Sequence, residues 1–128
     1  MKSSFKKGDT KNHQFVVERA DLATFNNETL HPVCSTYKLG QEMEWSSRLF
    51  MLDLIKEDEE GVGTMLHIEH KSPAFEGELV SLVATYISFE SNELICSIEV
   101  KVDNRLVATG QTGQRLLNRN KLEEIFTQ

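Results

Sequence analysis

Thr36, Glu44 and His70 are the residues whose types and spacing could carry chemistry in this chain. His70 closes the alternating stretch "LHIEH", in which Leu66 and Ile68 point the same way, so an imidazole stands in an otherwise aliphatic row. An imidazole is the side chain best suited to moving protons near neutral pH. Thr36 stands at the start of a helical period and Glu44 follows eight residues later, a little over two turns and about 12 Å along the axis. A histidine from a strand crossing that helix could lie between or beside them. Taken singly, the threonine reads as a helix cap, the glutamate as a solvated helix residue and the histidine as a hydrogen-bonded core group. Their joint spacing is what argues for a site.

Other chemical signatures are missing. No serine sits in Gly-x-Ser-x-Gly, Gly61-Val62-Gly63 lacks the third glycine of a dinucleotide fingerprint, and there is no P-loop. His67 and His70 are three residues apart, which on a strand sends them to opposite faces and keeps them from sharing one ion. Neither a metal nor a resident cofactor is expected.

The elements that must position these residues follow from the hydrophobic period. Residues 1–12, polar and basic, read as a flexible N-terminal segment, and residues 13–128 as one domain. "HQFVVERADLATF" predicts a first strand ending near Ala20 to Thr24, after which "NNETLHP" breaks regularity. From "STYKLGQEMEWSSRLFMLDLIKEDEEG" the period becomes helical: Leu39, Met43, Ser47, Phe50 and Leu54 share a stripe, Ser35 or Thr36 caps it, and Gly61 closes it or the loop behind it. "VGTMLHIEHK" then alternates, with Thr64, Leu66, Ile68 and His70 on one face and Met65, His67, Glu69 and Lys71 on the other. "ELVSLVATYISFE" and "ELICSIEVKV" follow as strands around an "ESNE" hairpin turn, with Leu94, Cys96, Ile98, Val100 and Val102 as an inward row. "VDNRL" is a further turn, "VATGQTGQRLLN" a last strand and "NKLEEIF" a short helical tail.

Strand, long helix, then four strands predicts an α+β fold, an antiparallel sheet of five or six strands wrapped around one central helix in the hotdog arrangement. Such a sheet leaves strand edges and part of the helix uncovered, so a homodimer, or a dimer of dimers, is expected.

Composition narrows the partners. At 128 residues, 39% apolar and 27% charged, the chain suits one soluble core. A formal charge of −6 argues against nucleic acid. Apolar runs are far short of a membrane span. Cys34 and Cys96 form no Cys-x-x-Cys pair and follow no secretory leader, so free thiols and a cytoplasmic location are expected.

These residues resemble the hotdog-fold thioesterases similar to fluoroacetyl-CoA thioesterase. In that family a Val-x-Ala-Thr segment begins the central helix, a glutamate follows eight residues after the threonine, and a histidine closes a strand before an Ala-Pro-x-x-x-Gly turn. Here "VCST" ends in Thr36, "GQEMEW" supplies Glu44, and "GTMLHIEHKSPAFEG" supplies Gly63, His70, Pro73 and Gly77, so the resemblance covers about residues 30 to 118. It implies hydrolysis of an acyl-CoA thioester, with His70 taking a proton from Thr36 or from a water, and Glu44 orienting the histidine or itself activating water or attacking. Amides just after Thr36 and around Gly63 would stabilise the oxyanion. Lys71, Arg115 and Arg119 are candidates for the CoA phosphates by position. The hydratase-like branch, with an aspartate five residues before a histidine, fits less well, because Gly8, Asn26, Val62 and Met65 hold those places. The hydroxybenzoyl branch's Tyr-x-Asp segment is missing too. The competing expectation is a non-catalytic hotdog protein that binds acyl-CoA or acyl-carrier protein, or a dimeric scaffold.

Overall fold

The computed structural model describes residues 5–127. Its elements run β1 (Thr10–Val16), a 3-10 turn (Arg19–Asp21), β2 (Leu22–Phe25), β3 (Glu28–Cys34), α1 (Thr36–Leu54), β4 (Glu59–His70), β5 (Leu79–Glu90), β6 (Glu93–Val102), β7 (Arg105–Asn118) and α2 (Arg119–Phe126). Five strands form one antiparallel sheet in the order β1-β5-β6-β7-β4, while β2 and β3 pair separately. This is the hotdog fold.

The helix forms where the stripe predicts it. Ser35 is the cap, accepting the Lys38 N–H at 3.0 Å, and Thr36 is the first helical residue. The face carrying Leu39, Met43, Ser47, Phe50 and Leu54 is buried against the concave side of the sheet. There it meets Val80, Leu82 and Ala84 of β5 and the row Leu94, Cys96, Ile98, Val100 and Val102 of β6, all buried. Burial of each such aliphatic side chain contributes about 1.5–3 kcal/mol. Where the strands reverse, Ser91 and Asn92 join β5 to β6 with φ of 51° and 63°, the double left-handed pair that a tight hairpin needs.

Four expectations are corrected. Residues 5–12 do not form a loose arm: β1 begins at Thr10, and Phe5 packs its ring against Phe50 at 4.9 Å and Tyr86 at 5.9 Å. Residues 1–4 of that segment lie outside the described residues. The first strand stops at Val16, and the segment read as irregular is a hairpin, with Asn26 and Asn27 at φ of 52° and 65° as its turn. Pro32 is tolerated in β3 because that strand belongs to a two-stranded sheet. Gly61 does not close the helix but lies within β4, where a Cβ would fall 2.6 Å from Met51 Cγ. Thr64 leaves the inward row: a register shift between Gly63 and Met65 turns it outward, and its hydroxyl donates to Glu93 Oε2 at 2.7 Å.

Candidate active site

The site lies in a groove between α1 and β4, which run alongside each other in opposite directions. Contacts step regularly along them: Thr36 meets His70, a Cβ on Gly40 would touch Leu66, Glu44 lies over Gly63, and Arg48 Nη1 donates to the Gly61 carbonyl at 3.1 Å. Gly40 is in mid-helix, where glycine costs about 1 kcal/mol relative to alanine. An added methyl there would sit 3.1 Å from Leu66 Cδ2, so the missing side chain sets how closely the strand approaches. That unfavourable glycine is the sequence signal for the groove.

Local backbone bonds bring the two chemical ends together. Lys71 and Ser72 both donate to the Val107 carbonyl, at 2.8 and 3.2 Å, which fixes the end of β4 that carries His70. The turn that follows is tied to the strand before the helix by the Cys34 N–H donating to the Ala74 carbonyl at 2.8 Å. His70 Nδ1 and Thr36 Oγ1 consequently meet at 2.9 Å. With the imidazole proton on Nε2, Nδ1 accepts from the hydroxyl. Ser35 takes the N–H of Lys38 with its hydroxyl and that of Leu39 with its carbonyl, which leaves the amides of Thr36 and Tyr37 without a partner among the described residues. Two donors at a helix N-terminus beside a hydroxyl–imidazole pair suit a developing negative charge.

Glu44 is brought to the same groove but not to His70. Thr36, Tyr37, Gly40, Gln41, Glu44, Leu66 and Ile68 line a cavity of about 440 Å³. The Glu44 carboxylate sits over Gly63, where a Cβ would come within 2.9 Å of Oε2, and no hydrogen bond or ion pair engages it among the described residues. Thr36 with His70 and Glu44 with Gly63 thus form two clusters at opposite ends of the groove. Gln41 carries no sequence signature of its own that marks it as part of the groove, and Gly40 carries only its place in mid-helix.

Behind the helix start a second group of charges is fully paired. Glu42 accepts from Lys38 Nζ at 2.9 Å and meets His13 Nε2 at 2.7 Å, and Lys38 lies 3.6 Å from Asp21 Oδ1. Burial alone would push the Glu42 carboxyl up, but the bonds and charges of His13 and Lys38 outweigh it and hold it below its ordinary 4.5. Burial would likewise lower the Lys38 ammonium, yet Glu42 and Asp21 together raise it above 10.5. Cys34, next to the cap, is buried, and burial together with the Asp21 charge pushes its thiol up to about 12. It is no nucleophile at neutral pH.

The cations considered for CoA are not gathered. Lys71 bonds Glu69 at 3.3 Å beyond one end of β4, while Arg119 lies 3.7 Å from Glu60 at the other end. Arg115, exposed, is in register with Val62, nine residues before Lys71, or roughly 30 Å along a strand. His67 faces away from His70 and meets Glu69 Oε2 at 3.2 Å. Among the described residues no three His, Cys, Asp or Glu side chains are grouped to hold a metal ion, and no helix is long and apolar enough to cross a membrane.

Known proteins resemble this chain in sequence family and in fold. The profile of the family described as FlK, fluoroacetyl-CoA-specific thioesterase, matches residues 17–120. A hypothetical protein of Thermus thermophilus described as a thioesterase superfamily member is 28% identical, with a TM-score of 0.91 over 95% of this chain and 90% of its own. The fluoroacetyl-CoA thioesterase FlK itself is 18% identical with a TM-score of 0.88, covering 98% of this chain and 97% of its own. A hot-dog-like protein from Thermanaerovibrio acidaminovorans is 21% identical, with a TM-score of 0.87 over 95% of this chain and 90% of its own. No curated protein matches the chain in sequence.

Proposed function

Because the chain belongs to the family of fluoroacetyl-CoA-specific thioesterases, and so is a thioester hydrolase, we propose that it cleaves acyl-CoA, or an acyl-carrier thioester, to free acid and thiol through Thr36, His70 and Glu44. The observation that carries this reading is the 2.9 Å contact between Thr36 Oγ1 and His70 Nδ1 beside the unpartnered amides of the helix start. His70 takes a proton from the Thr36 hydroxyl, or from a water held beside it, and the oxygen attacks the thioester carbonyl. The carbon–sulfur bond then breaks and the thiolate leaves. If Thr36 was the nucleophile, water hydrolyses the acyl ester it formed. The amides of Thr36 and Tyr37 receive the oxyanion. Leu66, Ile68 and Tyr37 in the groove wall favour an apolar acyl group. No resident cofactor takes part, and CoA enters with the substrate.

The two clusters are completed by a second copy. β4 is an edge strand of twelve residues whose backbone groups on one side have no neighbouring strand among the described residues, and Leu66, Met65, Tyr37 and Trp45 beside it are exposed. An antiparallel pairing of β4 with the same strand of another protomer, centred near Leu66 and His67, sets Gly63 of one opposite His70 of the other. Glu44 of one protomer then serves Thr36 and His70 of its partner, as orienting base or water activator, in a homodimer able to stack into a dimer of dimers.

Free-thiol release from short, medium and aromatic acyl-CoAs tests the reading, with His70→Ala and Thr36→Ala beside the wild type. Release that collapses in both variants while melting is retained is expected. Release from none of them, or release indifferent to both changes, would leave a non-catalytic acyl-CoA or carrier-protein binder or a scaffold.

A further inference from the structure

Gln114 is a polar residue in the wrong place for a filler. It lies on the helix-facing side of β7, only 4% exposed, in a sheet whose inner face is otherwise largely aliphatic. Its Nε2 donates to the backbone carbonyl of Glu44 and to Ser47 Oγ, each at 3.1 Å, and Ser47 Oγ donates to that same Glu44 carbonyl at 3.0 Å. The other end of the amide is unsatisfied: Oε1 is buried with no hydrogen-bond partner among the described residues. A buried acceptor left unpaired is unfavourable, and a methionine or leucine of similar volume would avoid that cost. The amide therefore leaves an acceptor unpaired where it grips the helix, at the Glu44 carbonyl and at Ser47. Both bonds reach the Glu44 carbonyl, one directly and one through Ser47 Oγ.

The neighbouring strand shows what the grip accomplishes. Gln114 is in direct register with Gly63, the residue beneath the Glu44 carboxylate. Side by side on the sheet, one residue holds the Glu44 backbone and the other makes room for its side chain. A carboxylate with no partner of its own is aimed only by the backbone that carries it and by the space it is given. We infer that Gln114 is a positioning residue for the reaction, anchoring α1 to β7 at Glu44 so that the unpaired carboxylate stays directed along the groove. This rests on the role proposed above for Glu44.

The test compares Gln114→Met, Glu44→Gln and the double variant in free-thiol release, with melting measured for each. Gln114→Met is expected to lower kcat about tenfold, since small misplacements of a catalytic group are costly, while KM stays within about twofold. Its melting temperature should hold or rise, because the unpaired oxygen is gone. The double variant should be no slower than Glu44→Gln alone, as expected of two residues acting through one group. Gln114→Glu should keep a larger share of wild-type release at the acid end of the wild-type pH profile, where a protonated carboxyl donates to the Glu44 carbonyl, and a smaller share as that acid ionises. Unchanged kcat in Gln114→Met, a loss matched by a fall in melting, or additive losses in the double variant would overturn the inference. If Glu44→Gln itself releases thiol like the wild type, it is the underlying role of Glu44 that fails.

Discussion

Two carboxylates of α1, Glu42 and Glu44, are two positions apart in sequence, and the fold treats them in opposite ways. At 100° per residue they face nearly opposite sides of the helix. Glu42 points toward β1 and the 3-10 turn, where His13 and Lys38 occupy its oxygens. Glu44 points into the groove, over a glycine, with its carboxylate unengaged. A fully paired, half-buried carboxylate has its free energy invested in holding elements together. One kept unpaired beside an apolar cavity is available to a substrate or a water. On the proposed mechanism the same residue type serves architecture on one side of the helix and chemistry on the other.

The largest effects belong to the groove side. His70→Ala and Thr36→Ala should each lower thiol release by about 10²- to 10⁴-fold, the range for loss of a general base or its nucleophile, with melting nearly unchanged. In the proposed dimer the two clusters meet across the interface, so mixing inactive His70→Ala with inactive Glu44→Gln after subunit exchange should restore about a quarter of wild-type release, since half the dimers would carry one intact site. No recovery would place the whole site in one protomer. Gly63→Ala introduces a methyl 2.9 Å from Glu44 Oε2 and should cut release about tenfold by displacing the carboxylate.

The smallest effect on activity, and the clearest on stability, belongs to the other side. Glu42→Gln should leave release intact and lower stability by about 1 kcal/mol near neutral pH, read from denaturant midpoints. Its pH dependence has a definite sign. The folded-state carboxyl is held below 4.5, so its contribution is present above that pH and is lost as pH falls through the depressed value. Wild type and Glu42→Gln should therefore converge in stability below about pH 4.5, whereas an effect of constant size across pH would show that the ion pairs are not its source.

Much of this was legible in sequence, and what was not has physical causes. The inward row of β6 and the helical stripe stand out because period alone determines which face is buried. The β2–β3 hairpin was missed because Asn26-Asn27 reads as a break, although two residues that tolerate positive φ also make the tightest hairpin turn. Thr64 was misplaced because a bulge adds one residue to a strand and no alternation rule foresees it. Phe5 lay in a polar stretch, and a single ring reaching the core leaves no periodic trace. The pairing of Thr36 with His70 was readable from spacing, while the separation of Glu44 from them depends on how the helix lies along β4. Gln114 does carry a signal in the sequence, as a glutamine alternating with Thr112 and Leu116 in an inward row.

The account is tested most directly by measuring free-thiol release from the best acyl-CoA for Glu44→Gln and Glu42→Gln side by side, with melting recorded for both. Loss of release with unchanged melting in Glu44→Gln, and retained release with lowered melting in Glu42→Gln, is the expected result. Equal release from the two variants, or a loss confined to Glu42→Gln, would contradict it.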